Sequence, residues 1–174
     1  MIKDTIQKAI NKQINEEFYS SYLYLSMSAY FESINLKGFA HWMREQSKEE
    51  EGHAMRLFNY LTKRNGHVLL SKIETPPSGW ESPLDAFEKT YEHEQKITKM
   101  IEGIVNLTVS EKDRATEVFL QWFVTEQVEE EASADEIVQK LKLIKDAPGE
   151  LFILNKELGL RTAVDSSSLS KGSE

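Results

Sequence analysis

The 174-residue chain contains no cysteine. That absence excludes a disulfide framework, thiolate zinc sites, cysteine-held iron–sulfur clusters and thiol nucleophiles. Glycine and proline are scarce, at 8 and 4 residues, so little interrupts long helices. Basic residues are in the minority: 21 Lys and Arg against 29 Asp and Glu leave a formal net charge of −8. A generic nucleic-acid binder would instead carry a basic patch or tail. No apolar run approaches the roughly 18–20 residues of a membrane helix. The start, Met1-Ile2-Lys3-Asp4-Thr5-Ile6, lacks a signal-peptide core. The expectation is a cytoplasmic protein with neither nucleic acid nor membrane as partner. Hydrophobic residues make up 40% of the chain, enough for the core of one domain.

Four long helical stretches are expected, then a short fifth. The first spans about Asp4 to Ser33. The second spans about Lys37 to Arg64 and stops at Asn65-Gly66, a C-cap pair. Ser82-Pro83-Leu84-Asp85 opens the third with an N-cap serine, a proline at N1 and an acid at N3; it ends near Thr108. The fourth is expected to open near Ser110, with Asp113 three residues on, and to run to about Lys145. Pro148 to Leu158 forms the fifth, stopped by Gly159. Short turns near Ile34 and Val109 make helices one and two antiparallel, and likewise three and four. The link from Gly66 to Ser82 holds 17 residues. Extended, it reaches about 55 Å, more than the ~40 Å of a 27-residue helix. It can run the bundle's length. The fold class is therefore all-α: a four-helix bundle with one long crossover and a short C-terminal helix, over 1–160. A Ser-rich tail, 161–174, is expected to be flexible.

Each long stretch carries an apolar stripe at helical spacing, and a carboxylate interrupts every one: Glu17, Glu50, Glu94 and Glu130. Carboxylates are rarely buried without a partner. By the expected helix ends, Glu17 and Glu50 differ in level by ~4–5 Å, and Glu94 and Glu130 by ~9 Å. Four buried carboxylates this close would repel one another and take up protons. Two divalent cations would balance them. His53 lies three residues after Glu50, on the same helix face. Carboxylates with a single imidazole suit iron or manganese better than zinc or copper. A pair of ferrous ions can pass two electrons to one dioxygen.

The fourth helix reads Gln127-Val128-Glu129-Glu130, with no histidine. Gln127 is a poorer ligand, so the second metal is expected to be held more weakly; alternatively, Gln127 only hydrogen-bonds Glu130. Glu49, Glu126 and Glu129 flank the stripes and can form a third, more open site. Tyr24 lies two turns from Glu17 on one stripe, placed to hydrogen-bond a ligand or to donate an electron.

With these residues in place, the chain resembles the non-haem ferritins of bacteria and archaea over roughly Met1 to Leu160. The resemblance is carried by Gln13-Ile14-Asn15-Glu16-Glu17-Phe18-Tyr19-Ser20-Ser21-Tyr22-Leu23-Tyr24, Gly38-Phe39-Ala40-His41-Trp42-Met43, Glu49-Glu50-Glu51-Gly52-His53-Ala54, Tyr91-Glu92-His93-Glu94 and Phe119-Leu120-Gln121-Trp122-Phe123-Val124-Thr125-Glu126-Gln127-Val128-Glu129-Glu130-Glu131. A Glu with Glu-x-x-His is the di-iron pattern of such bundles, half met here. The resemblance implies a first iron site at Glu17, Glu50 and His53, with Glu50 bridging. It implies a second at Glu94 and Glu130, with Gln127 nearby, and a third at Glu49, Glu126, Glu129 and Glu130. Tyr24 and Trp122 match the aromatic residues beside the centre. It further implies a 24-subunit shell that oxidises Fe(II) with dioxygen or peroxide and stores ferric mineral, the fifth helix lining the four-fold axis. Glu51 stands where bacterioferritins place a haem-binding methionine, so no haem is expected. Two other readings stay open: a small-oligomer di-iron oxidoreductase such as a peroxide reductase, and a metal-free helical bundle used for protein contacts.

Overall fold

A computed structural model describes residues 2–144 and 147–162. Its order is α1 (Asp4–Ser33), α2 (Lys37–Lys63), α3 (Pro83–Ser110), α4 (Arg114–Leu143) and α5 (Pro148–Leu158). The expected flexible tail lies outside the described residues from 163 onward; its first residue, Arg161, rests on α2. None of the described helices is long and apolar enough to cross a membrane.

The three long-helix turns share one backbone solution. Asn35, Asn65 and Lys112 take positive φ, between 56° and 60°. The next amide then reaches back to a carbonyl in the last helical turn: Leu36 to Phe31, Gly66 to Leu61 and Asp113 to Thr108, at 2.9–3.0 Å. Asparagine tolerates this conformation, so two of the turns follow from sequence. Gly66 supplies room rather than backbone freedom, since a Cβ there would meet the Leu61 side chain at 2.4 Å. At the third turn the expectation was wrong. Ser110 closes α3, and Asp113 caps α4 by accepting from the Thr116 amide.

That shift brings the acids into register. Glu94 lies 16 residues before the end of α3, and Glu130 lies 16 after the start of α4. The expected ~9 Å offset thus largely disappears. Contacts such as Lys96 with Glu16 and Thr90 with Met27 show α1 antiparallel to α3; Gln46 with Glu130 and Tyr60 with Thr116 show α2 antiparallel to α4. Helices α2 and α3 are therefore parallel, as the long crossover requires. The crossover lies along α1: Gln7 and Asn11 hold His67 and Leu69 near one end, and Ser26 donates to the Pro77 carbonyl near the other.

The core has two dry ends. One is mostly aliphatic, with Ile6, Ile10, Ile14, Leu57, Leu61, Ile97 and Ile101. The other is rich in aromatic rings, with the ring centres of Phe31, Phe39 and Phe87 within 6.1 Å of one another in tilted and edge-on contacts. Glu17, Glu50, His53, Glu94, Gln127 and Glu130 form a buried polar belt between them. Apolar packing above and below keeps bulk water from that belt.

Candidate metal centre

Each belt residue is buried because it takes a core position of its own helix. Glu17, Glu50 and Glu94 are at most 2% exposed and Glu130 is 5% exposed. Glu17, Glu50 and His53 offer ligand atoms within 4.8 Å of one another, and so do His53, Glu126 and Glu130. His53 Nδ1 lies 3.1 Å from Glu50 Oε2. Glu94 belongs to neither group of three among the described residues. It is held by the Tyr24 hydroxyl, which donates to Oε1, and by the Gln127 amide at 3.3 Å from Oε2. Gln127 thus bonds Glu94 and Thr98 rather than Glu130.

Two glutamines given no role by sequence complete the belt. Gln13 donates to Glu17 at 2.8 Å. The Gln46 amide donates to both Glu50 and Glu130 at 2.8 Å, tying α2 to α4. A Gln four residues before the acid on both α1 and α2 was the available signal. His93, also left unassigned, has Nε2 2.7 Å from Ser20 Oγ and packs edge-on to Tyr24. Trp122 packs edge-on to His53 at 5.4 Å, with the Arg56 guanidinium 4.0 Å from its own ring.

The electrostatics follow from burial and crowding. Burial and the Glu50 charge push Glu17 and Glu130 up to about 8. Burial, with Glu50 and Glu130 nearby, drives Glu94 well above the carboxylate range. Glu50 is also penalised by burial, but the charge and hydrogen bond of His53 outweigh this and hold it below its ordinary value. His53 in turn is raised to about 10: Glu50 overcomes the desolvation of the imidazolium. Without metal, the belt relies on protons and one imidazolium for neutrality.

The donor set fits divalent metal. Glu17 Oε2, Glu130 Oε1, Gln13 Oε1 and Gln46 Oε1 are buried with no hydrogen-bond partner among the described residues. Unmatched buried oxygens are costly. All four are of the hard type that iron or manganese accepts. The outer acids are arranged differently. Glu49 pairs with Arg161 at 2.6 Å, Glu126 is half-buried, and Glu129 is exposed.

Residues 7–144 match the Ferritin family, described as a ferritin-like domain. The chain belongs to the ferritin family. It is 48% identical over 161 residues to a bacterial non-heme ferritin of Bacteroides fragilis, covering 92% of this chain and 100% of that relative. A bacterial non-heme ferritin of Campylobacter jejuni is 42% identical over 156 residues, covering 90% and 93%. Among solved structures, an open pore ferritin from the hyperthermophilic archaeon Archaeoglobus fulgidus superposes with a TM-score of 0.93. It is 54% identical, covering 93% of this chain and 100% of that chain. A closed form of the A. fulgidus ferritin, engineered by mutagenesis, gives the same TM-score and identity, covering 94% and 100%.

Proposed function

We propose that this ferritin-family chain stores iron in the cytoplasm. It oxidises Fe(II) at a dinuclear centre and deposits ferric oxyhydroxide inside a shell of twenty-four copies. The observation that carries this reading is the belt itself: four buried carboxylates and one imidazole, with oxygens on Glu17 and Glu130 unpartnered among the described residues. Glu17, Glu50 and His53 take one Fe(II), and Glu94 and Glu130 the other, with Glu50 between them. Gln13 and Gln46 fix the carboxylates from behind, and Tyr24 and Gln127 fix Glu94.

Binding releases protons, because Glu17 and Glu130 hold theirs up to about pH 8 in the absence of metal. Two Fe(II) give up one electron each. Dioxygen takes both electrons with two protons and leaves as hydrogen peroxide. Four waters supply the oxygen of two FeO(OH), and four protons are released overall. With peroxide as oxidant, its O–O bond takes the two electrons instead. Gln127 leaves the second iron with fewer strong ligands, suiting a product that moves on to mineral.

Assembly is supported by α5. Leu154 and Leu158 are buried against the bundle, while Phe152 and Ile153 remain 69% and 58% exposed. A short helix with apolar residues on both faces calls for a second contact.

Aerobic Fe(II) titration of the metal-free protein, then size-exclusion chromatography with iron and protein detected together, tests the proposal. Many irons per chain eluting with a very large assembly is the expected outcome. About two irons per chain on a small oligomer would replace storage with a di-iron oxidoreductase. No co-eluting iron would refute both.

A further inference from the structure

Beyond α5 the chain folds back onto α2, and the contact is built closely. A Cβ on Gly38 would lie 1.5 Å from the Asn155 carbonyl oxygen, so only glycine permits this crossing. Asn155 Oδ1 accepts from the amides of Gly38 and Phe39 at 2.9 and 3.3 Å. Two residues past the Gly159 stop, the Arg161 carbonyl accepts from His41 Nε2 at 2.8 Å. Its guanidinium lies 4.3 Å from the centre of the Trp42 ring, donates to the Trp42 carbonyl at 3.3 Å and donates to Glu49 Oε2 at 2.6 Å. Both side chains are largely buried, Arg161 at 18% and Glu49 at 14% exposure. Glu49 also feels the charges of His53, Glu50 and Glu126.

Arginine suits this position. Its fork is planar, stacks on an indole and stays charged at any physiological pH. Ring, carbonyl and carboxylate together fix it in one place. A cation that is part of the chain thus occupies one carboxylate oxygen of Glu49.

We propose that Arg161 is a built-in competitor for metal at Glu49. Fe(II) that takes Glu49 as a ligand, beside Glu126, Glu129 and Glu130, competes with the guanidinium for that carboxylate. Metal bound through Glu49 is therefore held less tightly than it would be without Arg161. This inference rests on the dinuclear reading of the inner belt. It adds a positioning residue that lies outside the span 7–144 matched to the family.

Anaerobic calorimetric titration of the assembled, metal-free protein with Fe(II) tests it. The wild type is expected to show two tight binding events per chain and a weak third. Arg161→Gln keeps a planar amide for Trp42 but removes the charge. It should tighten the third event by about tenfold, the scale of one charge-assisted hydrogen bond, and leave the first two unchanged. Arg161→Lys keeps a cation and should return the third event towards wild type. Adding Glu49→Gln to Arg161→Gln should abolish the gain. An Arg161→Gln titration superimposing on wild type, or a gain surviving the loss of Glu49, overturns the role of Arg161 alone. A wild type without two tight events overturns the inner centre and this inference together.

Discussion

The inner and outer acids of this bundle differ in where their positive charge comes from. Glu17, Glu94 and Glu130 are nine-tenths buried or more and, among the described residues, have no Lys or Arg partner; the cationic partner of Glu50 there is His53. Glu49, one residue from Glu50, has Arg161 in direct contact, and Glu126 feels the positive charge of Arg56. Burial raises Glu49 and Glu126 as well, but in each case an arginine opposes the rise. The same side-chain type thus plays two parts. Left without a resident cation, a carboxylate is a standing demand for metal or proton. Given direct contact with Arg161, Glu49 is a structural tether, and the proposal is that its metal affinity is thereby reduced.

Breaking the inner set should have the largest effect. Glu50→Ala removes the carboxylate between the two proposed iron positions. Stopped-flow measurement of ferric absorbance should show at least about a 100-fold loss of rapid oxidation, the upper range for losing a mere supporting partner of a metal site. Metal-free Glu50→Ala still leaves His53 able to titrate and Glu17 less crowded, so it should assemble and remain measurable. Retention of wild-type rates would remove Glu50 from the centre.

Next in size is the pH dependence of the metal-free protein. Glu17 and Glu130 rise from 4.5 to about 8 on folding, and His53 rises from 6.5 to about 10. In each case the folded state binds the proton more tightly. Stability contributed by these groups is complete below the unfolded values and is lost as pH climbs through the folded ones. Thermal denaturation should therefore show Tm falling from about pH 5 to pH 10. Saturating divalent metal should flatten this slope, because metal replaces the protons. A Tm rising over that interval without metal would contradict the crowded-belt account.

Gln46→Ala probes the support of the inner set. The Gln46 amide holds Glu50 and Glu130 at once, so its loss should weaken Fe(II) binding by about 10-fold, within the range for outer partners of metal ligands. Anaerobic titration would read this. Smallest of all should be Lys8→Ala, which breaks the pair with Asp4. Both side chains are more than two-thirds exposed, so Tm should stay within about 2 °C of wild type.

How much of this was legible depends on how local the information is. Helix α1 and the starts of α2, α3 and α5 follow from periodicity, Ser82 with Pro83, and Pro148. The start of α4 did not. Ser110 and Asp113 are both capable caps, and the deciding element is a left-handed Lys112, a residue with no propensity for that conformation. The belt acids were readable because each breaks an apolar stripe on its own helix. Gln13 and Gln46 share those stripes but look like ordinary polar residues until their amides are seen against the acids. The pairing of Arg161 with Glu49 spans 112 residues and has no local pattern at all.

The most direct test of the central claim is a crystal structure of the protein soaked anaerobically in Fe(II), with anomalous scattering recorded at the iron edge. Two peaks per chain are expected in the belt, one among Glu17, Glu50 and His53 and one between Glu94 and Glu130. A belt without iron, its carboxyls still bonded to Gln13, Gln46, His53, Tyr24 and Gln127, would contradict it.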